Sequence, residues 1–428
     1  MLKSRSVRQQ FAVLTAANIF TRALGFVLRV MLSRLLGAQA MGIMELSHNA
    51  HMLSIAPVTA GLPLAVSRMT ARDQNDAALR AGRRLILLSS LVCVPLWLLL
   101  SPVMAYIMHD LRVLPSLWAF TPCIVILGLS AIYNGYCYGL GNAFPPALSE
   151  ILEQMLRFLL SAALLLSLPQ LTQAGRAAVP ALATAIAEAA GLLLVCRMVR
   201  SAAPSAPVQA LPAAQREIVR LSLPLTFSRI LTTLLRTASG VLIPLRLTAS
   251  GLSHAAATEM LGMLQGMVMP VLFLPGVVTG ALGTVGTSAI AARQGSGRRR
   301  MTTLLFLSAL GCGLLGMLSI RLLSGILSEY LYHLPALQPL FVRAAPLTLF
   351  FALQHAANGV LSGLGEQKRT LLPALAGAGI SLFFLYIRAA QPHLRILGAI
   401  DAMILGQAVT LVWTLILLYL RIRPAKKG

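Results

Sequence analysis

A series of about twelve apolar runs, most of them about 20 residues or longer, constrains this chain more than any other feature, because an apolar helix of that length spans a bilayer. Of the 428 residues, 57% are hydrophobic and only 11% are charged, whereas soluble proteins carry about a quarter charged residues. We therefore predict an all-α integral membrane protein of about twelve transmembrane helices, with the lipid bilayer as a partner. The runs lie at approximately 11–36, 42–67, 84–107, 113–139, 145–168, 177–197, 221–247, 257–290, 301–325, 336–362, 370–389 and 396–420.

The chain has a formal net charge of +23, and most of this charge lies in short segments between the apolar runs. A nucleic-acid-binding protein needs a basic face in water, so we expect no nucleic-acid partner. Placing the N-terminus in the cytoplasm puts most Lys and Arg on the cytoplasmic side, which predicts that both termini are cytoplasmic. The Pro- and Ala-rich stretch 198–219 is then a cytoplasmic linker between two six-helix lobes, 1–197 and 220–428.

The two halves repeat each other in sequence. The segment NGYCYGLG at 134–141 recurs as NGVLSGLG at 358–365, and TRALGFVLR at 21–29 recurs as SRILTTLLR at 228–236. Because each half has an even number of spans, the repeats are predicted to be parallel, related by an axis along the membrane normal. A substrate is expected in the cleft between them, near the midplane of the bilayer.

Four arginines occupy equivalent positions in the repeated segments 21–29 and 228–236: Arg22, Arg29, Arg229 and Arg236. Arginine at the bilayer centre costs at least about 2.5 kcal/mol, so we expect all four to line a water-filled cavity. The alternative is that each neutralises a buried acid or snorkels to an interface. The chain has 12 Asp and Glu against 35 Lys and Arg, too few acids to pair with every cation. Since the guanidinium fork suits phosphate, we predict an anionic substrate.

Other polar residues within the runs are weaker candidates. Glu153 and Arg157 stand four residues apart, which fits either an intrahelical ion pair or a place in the substrate site. Asn358 is either a helix contact or a substrate contact. Four acids are candidate ion or proton sites, and whether an ion is coupled to transport is left open: Glu45, Glu188, Glu259 and Asp401.

The repeated N-G-x-x-x-G-L-G segments supply two pairs of glycines at i, i+4, which allow close approach of helix backbones. We interpret them as packing sites or hinges: Gly135, Gly139, Gly359 and Gly363. No metal or cofactor is predicted, because the five cysteines are scattered singly and His48 and His51 lack further ligands at suitable spacing. The chain contains no Walker A motif, so we predict a transporter and not an enzyme.

Five segments resemble one known family, the stage V sporulation protein B group: NIFTRALGFVLRVMLSRLLGAQAMGIMEL, GLPLAVSRM, SEILEQMLR, LPLTFSRIL and GMLQGMVMPVLFLPGVVTGALGTVGTSAIA. That group belongs to the multidrug/oligosaccharidyl-lipid/polysaccharide (MOP) exporter superfamily and is similar to the lipid II flippases of peptidoglycan synthesis. The resemblance implies two six-helix lobes, alternating access, and cavity arginines that bind the diphosphate of a lipid-linked sugar. Arg22 matches such an arginine, Arg29 matches with an offset of one residue, and Arg229 and Arg236 depend mainly on the internal repeat.

The resemblance thus implies a flippase of the bacterial cytoplasmic membrane that moves an undecaprenyl-diphosphate-linked sugar, either a peptidoglycan precursor or a surface polysaccharide unit. A multidrug or cation antiporter of the same fold is the alternative, and it would need acids in the cleft. A membrane-bound enzyme would need a catalytic set of side chains, which we do not find. Lipid II flippases carry two further C-terminal helices that form a groove for the lipid tail. We expect this chain to end after helix 12, without that groove.

Overall fold

The computed structural model describes residues 7–199 and 211–422, which are helical almost throughout and include no strand. The apolar runs form these helices because a helix satisfies all of its backbone hydrogen bonds internally, as the interior of a bilayer requires. The helices are α1 Val7–Thr59, α2 Leu62–Asp73, α3 Ala77–Ile107, α4 Leu114–Ala119, α5 Thr121–Gly139, α6 Phe144–Ser167, α7 Gln173–Val199, α8 Leu211–Ala249, α9 His254–Leu261, α10 Met269–Leu272, α11 Leu274–Ala291, α12 Gly295–Leu322, α13 Ser324–Ile326, α14 Gln338–Ala344, α15 Pro346–Gly363, α16 Leu371–Arg388 and α17 Ile396–Ile422.

Nine helical segments within the described residues are long and apolar enough to cross a membrane, and ten if one bent pair counts as a single span. Two further helices, α1 and α6, are long enough to cross but are interrupted by charged and polar side chains. The prediction of an all-α membrane protein is therefore confirmed, and α1 and α6 carry four of the candidate site residues, Arg22, Arg29, Glu153 and Arg157.

Several predicted runs are not single straight helices. Runs 11–36 and 42–67 join in α1, which breaks at Gly37, where φ is 75° and ψ is 169°. This left-handed φ is accessible to glycine because it has no Cβ. Run 257–290 breaks at Phe273, and run 336–362 bends by 44° at Ala345. A proline follows Phe273 and Ala345 within two residues, and proline ends a helix because it lacks the N–H and clashes with the preceding turn.

The chain forms two compact units, Met1–Thr237 and Ala238–Gly428, and the boundary between them falls inside α8. Because α8 begins at Leu211, part of the stretch 198–219 predicted as a linker is helical, while its residues 200–210 lie outside the described residues. Three contacts join the first part of α8 to the rest of unit 1. Thr237 Oγ1 donates to the Asn49 carbonyl at 2.8 Å, Arg72 pairs with Glu217 at 2.7 Å, and Gly61 packs on the Ser222 backbone.

The repeated glycines lie at helix contacts in each unit. In unit 1, a Cβ at Gly135 would overlap the backbone of Pro63 in α2, and a Cβ at Gly139 would lie 2.6 Å from the Ser67 carbonyl oxygen. Both added Cβ atoms would lie far closer to α2 than normal van der Waals contact allows, so only glycine permits this approach of α5 to α2. Whether these glycines also act as hinges stays a prediction.

In unit 2 the equivalent glycines of α15 face α11. A Cβ at Gly359 would lie 2.7 Å from the Gly283 carbonyl oxygen, and a Cβ at Gly363 would lie 2.7 Å from the Thr287 carbonyl oxygen. Thr287 Oγ1 also donates to the Gly359 carbonyl at 3.1 Å. The duplicated sequence therefore makes the same kind of backbone contact in each unit.

We predict that Gly359→Ala lowers the free energy of unfolding by about 1–3 kcal/mol, because the added methyl group has no space against α11. Gly379→Ala in α16 is the matched control, since no atom lies within 4 Å of its added Cβ. That control should be neutral or slightly stabilising, because alanine favours helix more than glycine does. Thermal unfolding in detergent measures both variants, and equal shifts of the midpoint would contradict the packing argument.

Candidate functional site

Arg29 forms an ion pair with Glu45, a buried carboxylate in the same helix α1. Residues 16 apart in a straight helix are separated by about 24 Å, so these side chains meet only because α1 turns at Gly37. The side chain of Arg29 is 29% exposed and that of Glu45 only 6%. Arg29 therefore has an acidic partner, the alternative role considered for the repeated arginines.

Arg157 of α6 pairs with Glu188 of α7, with 2.7 Å between Nη2 and Oε1. The interpretation of Glu153 and Arg157 as an intrahelical pair is wrong. Glu153 accepts a hydrogen bond of 2.5 Å from Ser149 Oγ instead. Its carboxylate packs on Gly191 of α7, where a Cβ would overlap it, so the close approach of α6 and α7 decides which acid reaches Arg157.

The other three arginines of the duplicated segment are exposed: Arg22, Arg229 and Arg236. None has an acid within ion-pair distance in residues 7–199 and 211–422. Beside Arg22, Thr21 Oγ1 donates to Glu150 Oε1 at 3.2 Å and so links α1 to α6. A charged guanidinium on a membrane-spanning helix is stable only next to water or an anion, so these three positions favour an anionic ligand.

His48 in α1 lies near three of the arginines described above. It lies within electrostatic range of Arg29, Arg157 and Arg236, and Arg236 lies within range of Arg229. We call Arg22, Arg29, Arg157, Arg229 and Arg236 the arginine cluster, with Arg22 two turns before Arg29 on α1. The structure thus brings charges of α1, α6 and α8 together within unit 1. Sequence reasoning considered His48 only as a metal ligand, and its three-residue spacing to His51 gave no sign that it lies near these arginines.

The second histidine of this helix has a packing role. The His51 ring stacks on Phe120, with 4.2 Å between ring centroids and 4° between planes, and its Nδ1 lies 3.3 Å from Ser54 Oγ. The described residues include no group of three His, Cys, Asp or Glu side chains arranged to hold a metal ion.

Asn358 lies in unit 2, on α15. Its side-chain oxygen accepts a hydrogen bond of 3.1 Å from Gln354, which also approaches Thr414 of α17 at 3.3 Å. Next to them, His355 Nδ1 lies 3.0 Å from Thr279 Oγ1 of α11. These bonds join three helices of the unit, so Asn358 has a structural contact, and its role as a substrate ligand stays a prediction.

The fold is similar to those of solved membrane transporters. It matches a structure of the lipid II flippase MurJ in an inward closed conformation with a TM-score of 0.75 at 13% identity, covering 95% of this chain and 87% of that one. It also matches an inward-facing multidrug resistance MATE family transporter of the MOP superfamily with a TM-score of 0.70 at 17% identity, covering 94% of each chain. The predicted twelve-helix, MOP-like fold class is therefore confirmed.

Sequence comparison identifies the family of the chain. Residues 7–286, more than half of the chain, match the family described as Polysaccharide biosynthesis protein, and the chain belongs to that family. It is 28% identical over 418 residues to stage V sporulation protein B of Bacillus subtilis (strain 168), covering 93% of this chain and 80% of that protein. The resemblance inferred from the sequence segments is confirmed.

Proposed function

We propose that this protein is a flippase that moves an undecaprenyl-diphosphate-linked sugar, either a peptidoglycan precursor or a surface polysaccharide unit, across the bacterial cytoplasmic membrane by alternating access. The observation that carries the proposal is the set of three exposed arginines without an ion-pair partner in the described part of α1 and α8: Arg22, Arg229 and Arg236. Family membership and the similarity to stage V sporulation protein B support it. The substrate undergoes no covalent change.

The side-chain chemistry of the arginine cluster suits a diphosphate. Each guanidinium has five N–H donors in a planar fork that forms two charge-assisted hydrogen bonds to a phosphate at once. Arg29 and Arg157 are held in place by Glu45 and Glu188, and both retain donors for a ligand. In this arrangement the exposed arginines supply attraction for the headgroup, and the paired arginines supply fixed donors.

A cation antiporter of the same fold is the second candidate, and two glutamates of α6 favour it. Glu150 and Glu153 accept hydrogen bonds from Thr21 and Ser149, and neither forms an ion pair among the described residues. Such carboxylates suit protons or organic cations. Binding of a drug cation that is lost in Glu150→Gln and Glu153→Gln variants, together with no binding of a lipid diphosphate, would favour the antiporter.

We also propose the orientation of the chain. Both termini and the stretch 198–219 face the cytoplasm, because this places most Lys and Arg of the loops on one side. The terminal residues and residues 200–210 lie outside the described residues. In this orientation the first end of α12, with Arg298, Arg299 and Arg300, is cytoplasmic and its second end is extracytoplasmic.

The proposal predicts that the membrane potential drives outward transport. A diphosphate carries about two negative charges, and an inside-negative potential of 100 mV favours outward movement by about 2.3 kcal/mol per charge, or about 4–5 kcal/mol in all. Headgroup translocation in proteoliposomes should therefore accelerate when such a potential is imposed and slow when an ionophore collapses it. Protein-free liposomes are the control, and sodium and proton gradients are imposed separately. A rate that is unchanged on collapse of the potential would exclude the electrical mechanism.

A further inference from the structure

A second cationic site lies in unit 2, at the end of α12 opposite to Arg300. A pocket of about 510 Å³ opens there between α12, α14 and α17. It combines charged and apolar walls, and its lining includes Arg321, Val342, Arg343, Leu397, Asp401 and Ile404.

Asp401, in the lining of the pocket, binds two arginines: Arg343, which also lines the pocket, and Arg388, which reaches Asp401 from α16. Asp401 accepts hydrogen bonds of 2.6 and 2.7 Å from Nε and Nη2 of Arg343, and one of 3.1 Å from Nη1 of Arg388. The Asp401 side chain is only 9% exposed, whereas those of Arg343 and Arg388 are 52% and 45% exposed. Gly398 makes this approach possible, because a Cβ there would lie 2.6 Å from the Arg388 carbonyl oxygen.

The charges at this site do not balance. Arg321, exposed at the end of α12, has no acid within ion-pair distance in the described part of the chain. Three arginines and one aspartate leave a net charge of +2. Arg343 uses two of its five donors on Asp401 and Arg388 uses one, so most of the N–H groups remain for another acceptor.

The residues that follow Arg321 at the end of α12 include exposed apolar and aromatic side chains. Leu322, next to Arg321, is 82% exposed, and Tyr330 is 70% exposed. Tyrosine is enriched at the level of lipid headgroups, and exposed leucine at a helix end contacts lipid tails. A ligand that matches both features carries a negative headgroup and a hydrocarbon tail.

We propose that this pocket binds the phosphate group of an anionic membrane lipid, whose tails lie on the apolar surface at the end of α12. Phosphate oxygens would accept charge-assisted hydrogen bonds from Arg321, Arg343 and Arg388, and the negative charge would offset the excess of positive charge. A free phosphate ion would satisfy the arginines equally but would leave the apolar walls and Leu322 without a partner. The site does not depend on which substrate the arginine cluster of unit 1 transports.

The test measures lipid binding by native mass spectrometry of the full chain in detergent. The probes are dioleoylphosphatidylglycerol, zwitterionic dioleoylphosphatidylcholine and water-soluble glycerol phosphate. Wild-type protein should bind phosphatidylglycerol in preference to phosphatidylcholine. Arg321→Gln should weaken that binding about tenfold, the effect of losing one charge-assisted hydrogen bond. Arg300→Gln, an exposed arginine at the other end of the same helix, should leave it unchanged.

Three results would overturn the proposal: wild-type affinity in Arg321→Gln, equal binding of phosphatidylcholine, or displacement of phosphatidylglycerol by an equal concentration of glycerol phosphate. Arg321 is exposed and makes no ion pair in the described residues, so its variant should fold normally, and the thermal unfolding midpoint checks this. Arg229→Ala separates the two sites. It should lose translocation and keep phosphatidylglycerol binding if the proposals for both sites are correct.

Discussion

Replacing Arg22 or Arg229 by alanine should reduce translocation of a lipid-linked diphosphate by about 100-fold or more. Both side chains are exposed on membrane-spanning helices without an acidic partner in the described residues, so a bound phosphate is the anion that each would contact. Truncating one member of a desolvated, hydrogen-bonded charge pair costs about 2–5 kcal/mol, which corresponds to this loss. Lysine keeps the charge but not the planar fork, so Arg22→Lys and Arg229→Lys should be only partly active.

The matched control is Arg216→Ala, an exposed arginine near the start of α8. It removes the same charge from the helix that carries Arg229, about one and a half turns before the apolar run that begins at residue 221, and should transport at the wild-type rate. The measurement is headgroup translocation in proteoliposomes under a fixed inside-negative potential. Full activity in both alanine variants would refute the arginine cluster as the substrate site.

Glu188→Gln should lower the free energy of unfolding by about 3 kcal/mol, because it leaves the Arg157 guanidinium without its ion-pair partner. This value lies at the lower end for a buried pair, since the Arg157 side chain is 21% exposed. The double variant Arg157→Met, Glu188→Leu should recover most of the stability, because apolar side chains of similar size replace buried ion pairs at little cost. Denaturant unfolding in detergent measures the three proteins.

The same double variant separates a structural role of Arg157 from a substrate role. If Arg157 contacts the headgroup, the stable double variant should lose translocation, whereas a purely structural pair would leave transport intact. For the measurement of unfolding, Glu217→Gln is the control, since the Arg72–Glu217 pair is exposed and exposed pairs contribute little to stability. Wild-type stability of Glu188→Gln would contradict the assigned pairing.

Sequence reasoning predicted the helices well because their signal is local. A run of apolar residues longer than a bilayer is thick needs no knowledge of its neighbours to become a helix. The two glycine pairs were also recognisable, because duplication placed Gly135 and Gly359 in the same motif. Their backbone partners, Pro63 and Gly283, come from other helices and appear in no local pattern.

The ion pairs were not predictable, because they depend on contacts distant in sequence. Arg29 and Glu45 are 16 residues apart and meet only through the left-handed backbone at Gly37, a glycine among 33 in the chain. Arg157 and Glu188 lie on different helices, 31 residues apart, whereas the i, i+4 spacing favoured Glu153. Spacing identifies the neighbours on one helix surface, but the packing of the next helix decides which of them pair.

The position of α8 has a consequence for any attempt to divide this gene. A cut within the Pro-rich stretch 198–219 would follow the duplication, yet it would place Ser222 and Thr237 on a different polypeptide from Gly61 and Asn49, which they contact. The first product would expose the surfaces of α1 and α2 that α8 covers. A fission point after Ala249 keeps these contacts within one polypeptide. The boundary between the two sequence repeats, in the stretch 198–219, therefore does not coincide with the boundary between the two compact units, which follows Thr237 within α8.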